Sequence, residues 1–342
     1  MKNMENILYV FGRLLKSDGF LWFQNDLVSS IYDELGRGYS SNENEVALVT
    51  NLVKATNNKR FGPIRTFSEK IHGSRSYVKF NYMDKPVTKE LGDMAIISLI
   101  TKGKQRIYQK LCIVQNKKEK GQGWGIDIEQ LYLLKNFPPF SGNTGIFSGM
   151  KDIIFRNNSG CLGAFGFFDS PGELSIISGP MVTELRKGKK SISRGDVSVP
   201  DECHISKKSN NGNSSTSFQT LLASRYHEEY LYILEKLMYK MRKYGYPFLV
   251  SAFPNLPFLQ NSCFLRDVHD FTRGWTQFNI GEVTFAFGET LNPSVDSFCN
   301  LLLRSTGITE YIQVPGDDHF SNIKFNYEMG ILVVHLDLDA KF

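Results

Sequence analysis

Residues 90–118 read Glu-Leu-Gly-Asp-Met-Ala-Ile-Ile-Ser-Leu-Ile, then Thr-Lys-Gly-Lys, then Gln-Arg-Ile-Tyr-Gln-Lys-Leu-Cys-Ile-Val-Gln-Asn-Lys-Lys. Two apolar runs flank a short polar turn containing Gly, which predicts a β-hairpin. Asp93 opens the first strand, and Gln115 and Lys117 close the second. Side chains two residues apart on a strand share a face, so Gln115 and Lys117 point the same way. In an antiparallel pair the start of one strand lies beside the end of the next. The pattern therefore predicts that Asp93, Gln115 and Lys117 meet at one end of a sheet.

Those three side chains suit metal-dependent phosphodiester cleavage. Mg²⁺ takes oxygen ligands in an octahedron, one or two of them carboxylates, with water and phosphate completing the shell. Asp93 offers a carboxylate and Gln115 an amide oxygen. The Lys117 ammonium can stabilise charge on the phosphate or help deprotonate the attacking water. Polar residues at strand ends and a solvated Lys117-Lys118 turn are the plain structural alternative.

With these residues the chain resembles the PD-(D/E)XK nucleases, whose core motif is an Asp on one strand and Glu-X-Lys on the next. The motif here is Asp93 with Gln115-Asn116-Lys117, and Gly92 stands where Pro is common. Gln in the second acidic position occurs in that family, but it removes one negative charge from the site. The resemblance covers about a third of the chain. It implies a restriction-endonuclease-like α/β (α+β) fold, a mixed central sheet flanked by helices. It also implies a Mg²⁺ (or Mn²⁺) cofactor and DNA as substrate, as in bacterial restriction or anti-phage defence.

Working outward, residues 40–57 have helical spacing, with Val46, Val49, Leu52 and Val53 as the apolar stripe and Ser41 or Asn42 as the cap. Glu43 and Glu45 fall in the first turn, where negative charge suits the helix dipole. In the resembled family a helix before the first core strand often brings an acidic residue to the metal. Glu45 is the first choice for that place and Glu43 the second; both also suit simple capping. Residues 127–136 predict another helix, stopped by Pro138-Pro139. The resembled nucleases often carry a Gln on this helix, and Gln130 fits; it also suits an ordinary helix surface.

Before the hairpin, residues 4–35 have helix-like spacing. Phe20-Leu21-Trp22-Phe23 reads as core, and Gly36 and Gly38 read as a break. Residues 58–80 mix Lys59, Arg60, Arg65, Lys70, Arg75 and Lys79 with aromatics, and read as a surface segment whose rings face inward. Glu90 joins the site only if the first hairpin strand begins after it. Beyond the hairpin, short apolar runs at 153–155, 162–168 and 174–177 predict strands that extend the sheet.

Residues 186–194 hold Arg186, Lys187, Lys189, Lys190 and Arg194, a basic cluster suited to DNA phosphates or to plain solvation. Lys118 is a further basic residue for the nucleic acid. Residues 206–217 are polar and of low complexity, and 218–244 predict one long helix. The last eighty residues read as β-rich, with strands at 275–280, 283–287 and 331–336 and a hairpin around Met329-Gly330. This gives two regions: 1–180, nuclease-like, and 181–342, for recognition, homo-oligomerisation or a partner protein.

Composition sets outer limits. The 342 residues carry a net charge of +5, which permits an anionic partner without requiring one. Five scattered cysteines form no Cys-X-X-Cys pair, which argues against a zinc ribbon and for a reduced, cytoplasmic setting. His269, His319 and His335 lack metal spacing. No apolar run is long enough to span a membrane. The competing functional reading is a non-catalytic nucleic-acid-binding or ligand-sensing scaffold that keeps a degenerate nuclease fold.

Overall fold

In a computed structural model of the chain, the hairpin is present as β5 (Met94–Lys102) and β6 (Gln105–Lys118), paired antiparallel with Met94 opposite Val114. The structure describes residues 17–71, 77–121, 123–144, 153–155, 162–169, 172–186, 188–193, 269–270, 280–304, 306–310, 312–314 and 329–340, with a few isolated positions besides. Ahead of the hairpin come α1 (Asp18–Ser40), α2 (Glu45–Thr56), β1 (Arg60–Phe61), β2 (Ile64–Ile71), β3 (Tyr77–Tyr82) and β4 (Lys85–Glu90). After it come β7 (Gly123–Gly125), α3 (Ile128–Asn136), β8 (Phe140–Gly142), β9 (Gly163–Asp169), β10 (Glu173–Ser178), α4 (Gly179–Arg186) and β11 (Ser191–Ser193). The described C-terminal part holds β12 (His269–Asp270), β13 (Glu282–Ala286), β14 (Glu289–Thr290), α5 (Pro293–Arg304) and β15 (Met329–Asp337).

The main sheet has ten strands, in the order β1-β2-β15-β5-β6-β9-β10-β12, with β13 paired to β6 and β14 to β13. β15 runs parallel to β5 and β9 parallel to β6, while the other pairs are antiparallel. β5 and β15 read as nearly unbroken apolar runs because both faces of a central strand are covered. Against one face pack α1 and α2, with Leu27, Leu48 and Leu52 meeting Ile96, Cys112, Val114 and Leu332. Against the other pack α3 and α5, with Leu131, Leu134, Phe298 and Leu302 meeting Ile97, Leu111, Ile113 and Val333. Burying a Leu or Ile side chain stabilises by roughly 1.5–3 kcal/mol. The two apolar layers therefore fix the sheet between its helices. The architecture is mixed α/β, with a central sheet flanked by helices.

The main sheet draws on both sides of residue 180: β15, near the C-terminus, lies between β2 and β5. Several expectations need correction. Met329-Gly330 is the start of β15 rather than a turn, with Gly330 in register with both Lys70 and Met94. Gly36 and Gly38 do not end α1. Gly38 is buried where a Cβ would lie 2.7 Å from Leu48, so it serves the close approach of α1 and α2. Trp22 is 74% exposed, and only Phe20 and Phe23 of its tetrad are core. Residues 275–276 are helical rather than extended, and α5 lies in a region read as β-rich. The expected helix at 218–244 and the polar stretch 206–217 lie outside the described residues.

Candidate functional site

Asp93 occupies a bend just before β5. Gly92 brings the chain hard against β6, where an added Cβ would lie 2.7 Å from the Ile113 side chain. The Asp93 backbone N–H donates to the Val114 carbonyl at 2.9 Å, and its carbonyl accepts from the Gly330 N–H at 2.9 Å. The residue is thereby pinned between β6 and β15 at the sheet end.

Its carboxylate is held on one oxygen. Asp93 Oδ2 accepts from the Gln115 Nε2 amide and from the Asn116 backbone N–H at 2.7 Å. Because the carboxylate is an acceptor, the Gln115 amide turns its NH₂ toward Asp93 and its Oε1 away. That Oε1 is buried with no hydrogen-bond partner among the described residues, although Gln115 itself lines a pocket. An orphaned buried acceptor costs about 1–3 kcal/mol unless something satisfies it.

The pocket has a volume of about 190 Å³ and is lined by Asp93, Gln115, Lys117, Glu45 and Glu90 among its polar residues. Val46 and Val49 of α2 and Met329 of β15 supply apolar wall. Burial pushes Asp93 up to about 7, and the nearby charge of Glu90 adds to the rise. The Asn116 N–H and the Lys117 charge pull it down, and Glu45 pushes it up again. The carboxylic acid and carboxylate forms of Asp93 therefore coexist near neutral pH.

Glu45 enters from the first turn of α2. Asn44, not Ser41 or Asn42, caps that helix, accepting from the Ala47 N–H at 2.9 Å. With Asn44 as cap, Glu45 is freed to reach Lys117, whose Nζ lies 3.6 Å from Glu45 Oε2. Both side chains are partly exposed, so the pair is worth only about 0–1 kcal/mol and opens readily. Glu43 lies before the helix, where it accepts from Asn51 Nδ2 at 2.7 Å and does not line the pocket.

Glu90 belongs to the pocket because β4 ends with it and β5 starts only at Met94. Gln130 does not: it is buried, and its Nε2 donates to the Glu90 carbonyl at 2.8 Å. It anchors the chain entering the pocket instead of facing it. Lys118 is also engaged elsewhere. It donates to Asn42 Oδ1 at 3.2 Å and the Glu43 carbonyl at 2.7 Å, and lies 5.2 Å from the Tyr39 ring, bracing β6 against the α1–α2 connection.

Of the basic cluster, Arg186 ends α4, and Lys189 and Lys190 are exposed in the turn before β11. β11 pairs with β7, which begins five residues beyond Lys118, so this turn is tied to the segment leaving the pocket end of β6. Lys187 and Arg194 lie outside what the structure describes. Lys70, unremarkable in the sequence, is brought into the pocket by the β2–β15 pairing. Only the long-range pairing of the last described strand could have revealed it.

The donor types fit a hard divalent cation: the Asp93 carboxylate and the unpartnered Gln115 amide oxygen, with Glu45 and Glu90 in the same lining. Among the described residues, however, no three His, Cys, Asp or Glu side chains stand close enough together to form a complete metal-binding group. No described helix is long and apolar enough to cross a membrane. Compared with family models, with curated proteins and with solved structures, the chain gives no match.

Proposed function

We propose that the chain is a Mg²⁺- or Mn²⁺-dependent endonuclease that hydrolyses DNA phosphodiester bonds on a restriction-endonuclease-like fold. The observation that carries this reading is the convergence of Asp93, Gln115 and Lys117 on one pocket, with Gln115 Oε1 buried and unpartnered.

Asp93 and Gln115 would hold the cation, and Glu45 and Glu90 would bind water around it. When bound, the cation supplies Lewis-acid polarisation of the phosphoryl oxygen and an acidified water. The protein's own groups do the rest. Gln115 Nε2 and the Asn116 N–H hold Asp93 in one orientation through Oδ2, which leaves its second oxygen outside those two hydrogen bonds. Lys117, released from its weak pair with Glu45, neutralises charge that builds on the phosphate as water attacks. Val46, Val49 and Met329 wall off part of the site, which strengthens these charge interactions. Arg186, Lys189 and Lys190 would meet the DNA backbone outside the pocket.

Cys299 is a free, buried thiol, which suits the reduced cytoplasm proposed for this enzyme. Anti-phage defence as its setting, and a homo-oligomer or partner protein bound through residues 181–342, belong to the same proposal. A second reading, a non-catalytic nucleic-acid-binding or scaffold protein, is favoured by the incomplete set of acidic ligands. Supercoiled plasmid incubated with the purified protein and Mg²⁺ or Mn²⁺ decides between them. Nicked or linear product that disappears with EDTA supports the nuclease; intact plasmid across both metals supports the scaffold.

A further inference from the structure

The two oxygens of Asp93 stand in different surroundings. Oδ2 accepts from Gln115 Nε2 and from the Asn116 backbone N–H. A carboxylate oxygen offers two lone-pair sites, so both of those on Oδ2 are taken by N–H donors. The donors present their positive ends there, which repels a cation. Oδ1 stands outside both bonds. On Gln115 the same turn of the amide leaves Oε1 buried without a hydrogen-bond partner among the described residues. Glu45, the carboxylate that α2 brings to the pocket, has the Lys117 ammonium 3.6 Å away. Two divalent cations held about 3.5–4 Å apart repel each other strongly, so a paired site needs an anionic ligand that touches both. Asp93, pinned between β6 and β15 by its own backbone, has no open second oxygen for that task.

We propose that this pocket takes a single divalent cation, on Asp93 Oδ1 and Gln115 Oε1, and that the Gln115 NH₂ group excludes a second by closing Asp93 Oδ2. The assignment rests on the cation-dependent reading above and adds the count to it. Gln115 then does two things through one amide: its oxygen is a ligand and its nitrogen is a brace. A Glu at this position would supply the oxygen without the N–H. It would open one lone pair of Asp93 Oδ2 and add a negative charge, and two carboxylates that close together must share a proton or a cation.

The test counts Mn²⁺ bound to the purified protein at pH 8, by calorimetric titration and by the electron paramagnetic resonance signal of the free ion. Asp93→Ala serves as the blank for ions held elsewhere, and plasmid cleavage and thermal unfolding are measured on the same samples. The parent should bind one Mn²⁺ per chain above the blank, and Gln115→Glu should bind two. Gln115→Met keeps the length of the side chain and removes the amide. It should weaken Mn²⁺ binding about tenfold to a hundredfold, the range for lost partners around a metal. Should Gln115→Glu fail to fold, the parent's count and the Gln115→Met affinity decide. Two Mn²⁺ per parent chain, or only one in a folded Gln115→Glu protein, overturns the single-cation assignment and leaves the nuclease reading to the cleavage assay. Parental affinity in a folded Gln115→Met protein removes Gln115 from the site and overturns the assignment as well. One bound Mn²⁺ without any cleavage supports the count and overturns the nuclease reading. No Mn²⁺ bound by the parent above the blank overturns both.

Discussion

Two polar clusters are built into this sheet, and they differ in the charge set against the buried aspartate. At the far end of β6, Arg106 and Asp296 of α5 form a two-pronged ion pair at 2.8 and 3.1 Å. Asn300, Gln109 and Thr284 add hydrogen bonds to the same pair, and the Phe285 ring lies 3.8 Å from the guanidinium. At the near end, Asp93 is surrounded by two further carboxylates, an orphaned amide oxygen and open volume. Burial raises the pKa of both aspartates. For Asp296 the largest opposing influence is the Arg106 charge directly against it; for Asp93 the largest neighbouring charge is Glu90, which adds to the rise. The first arrangement sets a cation directly against its carboxylate and fastens α5 to the sheet, although Arg106 Nε and Gln109 Oε1 are buried there without a partner among the described residues. In the second the largest neighbouring charge is another carboxylate and open volume adjoins it, and that difference marks it as a candidate site.

The fastening end should respond in stability alone. Arg106→Ala leaves Asp296 buried without its partner, and losses from breaking buried pairs are about 3–5 kcal/mol. Urea unfolding should show a loss of that order. A loss below about 1 kcal/mol would mean that the ion pair does not hold the helix in place.

The pocket end should respond in chemistry alone. Lys117→Ala should lower kcat by roughly 10²–10³, as for one lost electrostatic group at a transition state. Its stability should change by less than about 0.5 kcal/mol, since it is partly exposed and only weakly paired. A large loss of stability without loss of rate would exchange the roles assigned to the two ends.

A pH series separates the Asp93 end from His335. Because Asp93 binds a proton more readily folded than unfolded, its favourable contribution is complete below pH 4 and disappears as pH rises through about 7. Asp93→Asn should therefore unfold at a higher temperature than the parent at pH 8, with the gap shrinking toward pH 4. Cation binding, which needs the ionised acid, should strengthen up to about pH 7 and level off above it. His335 runs the other way. It is buried, hydrogen-bonded through Nε2 to Thr101 at 2.8 Å, and burial depresses it to about 4, so its contribution falls away as pH drops from 6.5 toward 4. A parent–Asp93→Asn gap that is the same at pH 4 and pH 8 would show that Asp93 is not perturbed.

The smallest effect belongs to the basic turn before β11. Changing Lys189 and Lys190 to Ala should leave kcat intact and flatten the salt dependence of DNA binding by about 0.9 for each phosphate no longer neutralised. An unchanged salt slope would assign these exposed lysines to solvation.

The hairpin and the placement of Asp93, Gln115 and Lys117 were legible because they depend on neighbours in the chain: alternation, a turn and a strand end. The core helices 45–56 and 128–136 were legible for the same reason, through apolar spacing and caps. Glu90 was undecidable because it turned on where β5 begins, a boundary set by the bend at Asp93. Lys70 and Gly330 were invisible as site residues because only the insertion of β15 between β2 and β5 unites them. That insertion also draws the sheet from both sides of residue 180. Lys118 and Gln130 stand outside the pocket lining because each is engaged in packing, one against the α1–α2 connection and one against the Glu90 carbonyl. Residue type alone does not tell a ligand from a brace.

The most direct test of the central claim is DNA cleavage by Asp93→Ala beside the parent, in Mg²⁺, with circular dichroism and thermal unfolding of both. Asp93→Ala removes the carboxylate that the whole pocket is arranged to hold, while leaving both apolar layers untouched. The account predicts a folded variant, at least as stable as the parent at pH 8, whose cleavage falls to the level seen with EDTA. A folded Asp93→Ala protein that cuts DNA as fast as the parent would contradict it.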